Sequence, residues 1–470
     1  MKSPSRSRFY PLYVGAAAYL LVSLGLRILL RIDFAPAGMP RGTDLAVFLV
    51  GLRMDLAAAA WIFLPMVVWL TVIPDRLFLH PVHRALFIAA LAASVFALVF
   101  TTIAEWNFFD EFNARFNTVA VDYLIYPQEV FVNLWDSYPV GKVLLLCASL
   151  AVASVFAMRR LFRDVWDAEA PIRGRIKVLA IYVAVGVVAT RTVAMKDTRI
   201  YNRVASEISS NGAYSFVYAA TTRHLDYPGF YRTIDRADAF ARTKRLVSEP
   251  NAVADAAADS IRRHITSTGD GRPKNVVILL IESFGSEFWG SLGRPGETLT
   301  PEMDKLSQEG LLFTSLYASG NRTVRGMEGV LASFPPLPGD SIVKRNQSDH
   351  VATLARTLKA QGYNTLFIYG GRGVFDGMRS FTTRNGYDRF IEQKDFKNPT
   401  FTTIWGVCDE DLYRRGVEEL RALHDTGKPF FVTMLSVSNH KPYTYPKGRI
   451  PEDPDQHARP FAVKYTDWSL

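Results

Sequence analysis

Asn275-Val276-Val277-Ile278-Leu279-Leu280-Ile281-Glu282-Ser283-Phe284-Gly285 is the stretch on which the fold turns. From Val276 to Ile281 the residues are all aliphatic, with no polar alternation. Such a run reads as a short strand buried on both faces, as in a parallel sheet. The chain beyond it alternates in kind. Thr300-Pro301 predicts a helix start, with Thr300 as N-cap and Pro301 in the first turn. Residues 351–361 read as a helix, Thr365 to Tyr369 as a strand closed by the Gly370-Gly371 turn, and Asp409 to Leu423 as a helix that Asp409 and Glu410 cap. Pro429 to Val437 reads as a further strand, and Phe461 to Leu470 as a last helix. Strands alternating with helices predict an α/β domain with a largely parallel sheet over 273–470.

In such sheets ligands gather beyond the carboxyl ends of the strands. Glu282, the Gly370-Gly371 turn and the Ser438-Asn439-His440 turn lie there. Glu282 closes the first strand, and an acid there is costly unless a cation or donor compensates it. A divalent metal with a preference for hard oxygen, such as Mn, Mg or Zn, would do so; a helix cap would also do. Thr323 lies in Gly320-Asn321-Arg322-Thr323-Val324-Arg325-Gly326, ahead of a helix reaching about Ser333. A hydroxyl there is either an N-cap or a nucleophile, with Arg322 and Arg325 placed to clamp phosphate oxygens. His440 follows the last strand in Ser438-Asn439-His440-Lys441-Pro442, and by itself reads as a surface histidine.

Upstream the character changes. Five apolar segments, at about 10–30, 54–73, 85–104, 139–158 and 176–195, each approach the roughly 20 residues needed to cross a bilayer. The first is too long for a cleavable signal, and Ala35-Pro36-Ala37 is a poor cleavage site. Lys2, Arg6, Arg8, Arg76, Arg84, Arg159, Arg160, Arg163, Arg173, Arg175 and Lys177 fall on one side of these spans, eleven in all. Arg31, Arg41 and Arg115 fall on the other, three in all, or six with Arg27, Arg53 and Lys142 at span edges. The basic side is cytoplasmic. Five crossings then deliver the α/β domain to the outer face of the cytoplasmic (inner) membrane. Glu105 to Tyr138 carries ten aromatic residues, Tyr126 among them, and reads as an interfacial helical hairpin: an ordinary anchor or a platform for a lipid. Arg53 and Asp55 suit a mutual ion pair, a headgroup contact or a plain boundary. Residues 1–195 thus form a membrane domain and 196–272 a connector, with turns at Asn211-Gly212 and Pro228-Gly229 and a helix over 251–265.

The chain has 470 residues, 49% hydrophobic and 21% charged, with 54 Lys+Arg against 45 Asp+Glu. The location of the excess positive charge points to a membrane surface rather than nucleic acid. Two cysteines, Cys147 and Cys408, exclude a disulfide framework and a cysteine-rich zinc site.

Ile281-Glu282-Ser283-Phe284, Thr300-Pro301-x-x-Asp304-x-Leu306, Gly320-Asn321-Arg322-Thr323, Tyr369-Gly370-Gly371 and Ser438-Asn439-His440-x-Pro442, in this order, resemble the lipoteichoic acid synthase family of phosphoglycerol transferases, within the alkaline phosphatase/sulfatase superfamily. The resemblance implies five spans and an extracytoplasmic catalytic domain. It implies Glu282 as a metal ligand, Thr323 as a metal-bound nucleophile, and His440 as a contact to glycerol phosphate. It places Phe375-Asp376-Gly377-Met378-Arg379 where the family has a substrate-contacting Trp-Asn-Arg segment, so Phe375, Asp376 and Arg379 join Arg322 and Arg325 as substrate contacts. One divalent metal, Mn first, is implied, with phosphatidylglycerol as donor and a glycan or glycerol-phosphate polymer as acceptor. The family's remaining ligands are an Asp-His pair on a later strand. Asp349-His350 comes too early to supply it, so the chain reads as truncated at its C-terminus and inactive as given, or else as a complete but dead enzyme. Three other functions compete: a phosphoethanolamine transferase, against which a lone Cys408 in the outer domain counts; a sulfatase-like hydrolase, against which the lack of a Cys/Ser-x-Pro-x-Arg context counts; and a non-catalytic membrane sensor or scaffold.

Overall fold

The computed structural model describes residues 7–36, 38–125, 127–166, 170–193, 200, 202–222, 231–266, 269, 271–337, 339–345 and 347–470. Lys2, Arg6, Ala37, Tyr126 and the Pro228-Gly229 turn lie outside the described residues. There are two compact units: Met1–Pro127 with Tyr138–Arg223, and Gln128–Ser137 with His224–Leu470.

The first unit is helical: α1 (Tyr10–Phe34), α2 (Arg41–Ile62), α3 (Leu64–Val72), α4 (Asp75–Phe78), α5 (Pro81–Phe112) and α6 (Thr118–Ile125). After α7 (Pro127–Ser137), which groups with the second unit, come α8 (Val140–Leu161), α9 (Ile172–Arg191), α10 (Arg203–Ser209) and α11 (Gly212–Thr221). Among the described residues, four stretches are long and apolar enough to cross a membrane: Tyr10–Phe34, Gly42–Val72, Pro81–Phe112 and Val140–Leu161. The helix α9 stands where a fifth span is expected, with Arg173, Arg175 and Lys177 crowding its first turns. The second span begins a dozen residues earlier than its apolar core. It breaks at Phe63, because Pro65 near the start of α3 cannot donate a helical hydrogen bond. Most of the expected aromatic hairpin is helical, but its first part simply continues α5 to a left-handed cap at Asn113.

Arg53 and Asp55 do not pair with each other. Two residues apart on a helix, their side chains leave it in different directions. Asp55 instead receives a two-pronged pair from Arg27 of α1, at 2.6 and 3.1 Å, and Asn211 donates to it at 2.8 Å. Arg53 donates to the Thr192 carbonyl.

In the second unit α7 is followed by α12 (Arg236–Leu246) and by β1 (Ala252–Ala254) and β2 (Arg263–Ile265). These two strands pair antiparallel, where a helix over 251–265 was expected. Asp255 explains the difference. Its carboxylate accepts from Ala257 N–H and from the Ser260 hydroxyl, a local turn that competes with helix. Then come β3 (Val276–Leu280), α13 (Pro301–Leu306), α14 (Thr323–Ala332), α15 (Leu354–Ala360), β4 (Asn364–Tyr369), α16 (Met378–Arg384) and β5 (Arg389–Ile391). The short strands β6 (Thr402–Thr403) and β7 (Gly406–Val407) precede α17 (Asp409–His424), β8 (Phe430–Leu435) and α18 (Arg459–Ser469).

The main sheet runs β3-β8-β4-β5, parallel throughout. One face packs Phe367 and Phe431 against Val324, Met327 and Leu331 of α14 and Phe381 of α16. The other packs Leu366, Ile368, Val432 and Met434 against Leu412 of α17. β8 and β4 are buried, as continuous apolar runs require. β3 is not, since Val277 and Leu279 are exposed and it pairs only with β8 among the described strands. The register aligns Leu280 and Tyr369 with Leu435, so three strands finish level with one another.

Candidate active site

The level strand ends set up the site. Glu282 leaves β3 with its N–H donated to the Ser436 hydroxyl, 2.9 Å away across the gap to β8. The Asn439 amide donates to the carbonyls of Glu282 and Ser283, at 3.2 and 2.8 Å. The backbone is thus fixed at its N–H and at its carbonyl, and the side chain is largely buried.

Thr323 is the first residue of α14, and Arg322 takes the N-cap position. The Thr323 hydroxyl donates to Glu282 Oε2 at 2.7 Å, and the Ser283 hydroxyl donates to Glu282 Oε1 at 2.8 Å. His440 Nε2 lies 3.5 Å from the same Oε1. Glu282, Thr323 and His440, far apart in sequence, converge on one carboxylate. Donor chemistry of this kind, carboxylate and hydroxyl oxygens beside an imidazole, fits a divalent cation. In number these donors are part of such a site, since zinc takes four ligands and harder ions take more. The other cluster of ligating side chains among the described residues is Cys408, Glu410 and Asp411, whose Asp411 carboxylate already serves Thr400 and Arg414.

The remaining candidates distribute themselves around this centre. Asp376 is buried with a left-handed backbone, φ 51°, and binds Arg322 at 3.2 Å and Lys344 at 3.6 Å. It therefore holds the arginine that precedes Thr323. Phe375 meets Trp405 edge to face, with ring centroids 5.7 Å apart. Trp405 in turn stacks on His440 at 4.4 Å, nearly parallel. Arg325 is turned to Glu328, at 2.7 Å, and to the Gly339 carbonyl. Arg379 is turned to Glu392, a carboxylate that also receives Gly373 N–H and Lys394. Burial of the Tyr369 phenol raises its pKa, and the negative charges of Glu282 and Asp376 raise it further. A neutral hydroxyl thus ends β4 beside the site.

Two residues were not legible as site elements. Trp405 forms the wall behind His440, with its indole N–H on the Lys441 carbonyl at 2.8 Å and on Asn133 of α7 at 3.3 Å. The one available signal is Gly406, whose backbone, φ 143°, abuts the Gly370 carbonyl where a Cβ could not fit. Asp409 does not cap its own helix. Its carboxylate accepts from Val437 and Ser438 N–H, both at 3.0 Å, and from the Thr466 hydroxyl, and so holds the turn that carries His440. Burial pushes its carboxyl above the usual range. Thr300 likewise occupies the N-cap position of α13 without capping; Asp467 of α18 accepts from Glu302 and Met303 N–H instead, both at 2.9 Å.

Residues 274–469 match the sulfatase family. That stretch is a sulfatase-like domain. Over 190 residues the chain is 28% identical to phosphoglycerol transferase I of Xanthomonas campestris, covering 38% of this chain and 26% of that one. Over 252 residues it is 25% identical to phosphoglycerol transferase I of Salmonella typhimurium, covering 49% and 32%. The matched stretch therefore spans about a third or less of each relative. An integral membrane lipooligosaccharide phosphoethanolamine transferase A from Neisseria meningitidis superposes on 97% of this chain and 76% of its own, with a TM-score of 0.54 at 13% identity. That similarity shows a shared fold, helices followed by a parallel-sheet domain. The relatives agree with the resemblance to lipoteichoic acid synthase-like phosphoglycerol transferases carried by the motifs.

Proposed function

We propose that the chain is a membrane-bound, metal-dependent transferase. In this reading it moves phosphoglycerol from a glycerophospholipid, phosphatidylglycerol, to a hydroxyl of a glycan or glycerol-phosphate polymer. The catalytic domain works on the extracytoplasmic side of the inner membrane. The observation that carries the reading is the Thr323 hydroxyl: Thr323 is the first residue of α14, just past the N-cap Arg322, and its hydroxyl donates to Glu282.

Thr323 is the nucleophile. Its oxygen bonds to phosphorus, the bond from phosphorus to the diacylglycerol oxygen breaks, and diacylglycerol leaves with a proton. An acceptor hydroxyl then attacks the phosphoglyceryl-threonine and restores the threonine. Glu282 and the Thr323 oxygen would hold one divalent cation, Mn, Mg or Zn, which when bound supplies charge for the nucleophile and the phosphoryl oxygens. The N-terminus of α14 favours negative charge at the same place. Arg322, fixed by Asp376, faces the phosphoryl oxygens, and Arg325, held by Glu328 and the Gly339 carbonyl, would have to leave them to join it. His440, backed by Trp405, contacts the glycerol phosphate; Phe375, Asp376 and Arg379 border the substrate.

The test is Thr323→Ala in the full-length protein, assayed in membranes with labelled phosphatidylglycerol. Diacylglycerol release should vanish while the fold survives, and a trapped wild-type enzyme should carry phosphoglycerol on Thr323 by mass spectrometry. Substantial release by Thr323→Ala would overturn the assignment. Release from phosphatidylethanolamine alone would shift the donor to the phosphoethanolamine class.

A further inference from the structure

A cleft of about 1040 Å³ opens within the membrane unit, outside the catalytic domain altogether. Along α1 it is lined from Pro11 to Leu26, and along α5 from His83 to Glu105. At 1.5 Å per residue, the twenty-two steps on α5 come to roughly 33 Å, close to the full depth of a hydrocarbon core. Small side chains make the hollow: Gly15 and Ala18 on α1, and Ala90, Ser94 and Ala97 on α5. The hydroxyls of Ser94 and Thr101 are spent on their own helix, donating to the carbonyls of Ala90 and Ala97. What faces the cleft over most of its length is therefore apolar.

One end differs. Asp55, Glu105, Arg115 and Asn211 all line it there, and each is at least nine-tenths buried. Arg115 pairs with Glu105 at 2.5 Å, while Asn211 joins Asp55 to the Tyr19 hydroxyl. At the other end stand Trp69, His83 and Phe87. Burying four polar or charged groups at the mouth of a hydrocarbon-lined slot is costly, and the compensation is mutual pairing around a space that still opens to them. The shape is that of an amphiphile: a long apolar body and a single polar end.

We infer that this cleft binds a membrane glycerophospholipid, with an acyl chain along α1 and α5 and the headgroup at the Asp55–Glu105–Arg115–Asn211 end. The occupant follows from place and polarity. At that depth a bilayer offers only lipid chains to fill an apolar hollow. The polar cluster at one end then selects a molecule with a headgroup and sets its direction. The site rests on reading these helices as membrane spans and not on the transferase reading, although it would hold a lipid of the donor class.

The experiment uses the full-length protein in bilayers of phosphatidylglycerol and phosphatidylethanolamine. A phosphatidylglycerol carrying a photoreactive diazirine at the tail end is added, and the adducts are mapped by mass spectrometry. Adducts should concentrate on the cleft side of α5, between Trp69 and Ser94 in level. A diazirine placed near the headgroup should instead label around Phe116 and Asn211. Ser94→Phe or Ala97→Phe, which fill the hollow, should lose most of the adducts, whereas Ala93→Phe, off the cleft on the same helix, should keep them. Equal labelling of the outward faces of α1 and α8, or full labelling after Ser94→Phe, would overturn the site. So would reversed head and tail positions. No turnover is read, so a failed site and a failed transferase assignment are told apart. Helix content by circular dichroism reports whether a filled variant folds, and the wild-type adduct map stands without either one.

Discussion

At the residue scale, candidates were legible where a polar group stood at the end of an apolar run. Glu282 after β3 and His440 after β8 are conspicuous because hydrocarbon stops at them. Thr323 was legible only as a choice between cap and nucleophile; its hydroxyl donates to Glu282 at 2.7 Å, and the proposal takes the second. Charge partners were not legible, because they are set in space. Arg325, which read as a phosphate clamp, and Arg379, which the resemblance made a substrate contact, are held by Glu328 and Glu392. Glu392 offers a pH test. Burial by itself raises its pKa, but Lys394, the Gly373 N–H and Arg379 outweigh burial and hold the carboxyl below its usual value. A carboxyl depressed in the folded state stabilises the fold above its unfolded pKa of about 4.3, and that contribution is lost as pH falls through the lower folded value. Pulse proteolysis of the solubilised full chain should therefore show the catalytic unit weakening in this acid range. Glu392→Gln should flatten that limb and change little near neutrality. An unchanged acid limb would mean that other carboxylates govern it.

At the element scale, some segments were legible from their own pattern and others were not. The strands β4 and β8 declare themselves by hydrophobic runs, and α17 by its length. The 251–265 segment failed because its alanines favour helix while Asp255 and Ser260 close a turn within it. Thr300 failed as a cap for a different reason: its role was taken by Asp467, which no local pattern could reveal. This cross-element cap ties α18 to α13 and can be measured. Asp467→Ala should cost about 0.5–2 kcal/mol, the usual range for a lost cap. Thr300→Ala, whose hydroxyl reaches only Asp304 at 3.4 Å, should cost less. Thermal unfolding of the two variants side by side checks the order. Equal losses would return the capping role to Thr300.

At the scale of the whole molecule, the side of the membrane on which the sulfatase-like domain stands depends on α9. Tyr10–Phe34, Gly42–Val72, Pro81–Phe112 and Val140–Leu161 give four crossings and would leave the domain on the side where the chain began. A fifth crossing puts it on the other. The apolar part of α9 runs only from Val178 to Thr190, roughly 20 Å at helical rise, so it needs help from its charged first turn. That help is present. Arg175 is buried, donates to the Ile73 and Ala170 carbonyls, and pairs with Asp75 at 2.5 Å. Asp75 also pairs with Arg8 at 2.9 Å. With its charge compensated inside the helix cluster, Arg175 lengthens the stretch that can lie within the bilayer. The basic residues agree, eleven on the side of the chain's start against three on the other. A reporter active only outside the cytoplasm, fused after residue 272, should therefore be active, and one fused near residue 168, ahead of α9, should be silent. Asp75→Leu, which strips Arg175 of its partner, should lower the outside signal after residue 272 while leaving the signal near 168 silent. Activity of a cytoplasm-only reporter after residue 272 would make α9 a surface helix and remove a lipid in the outer leaflet as the donor.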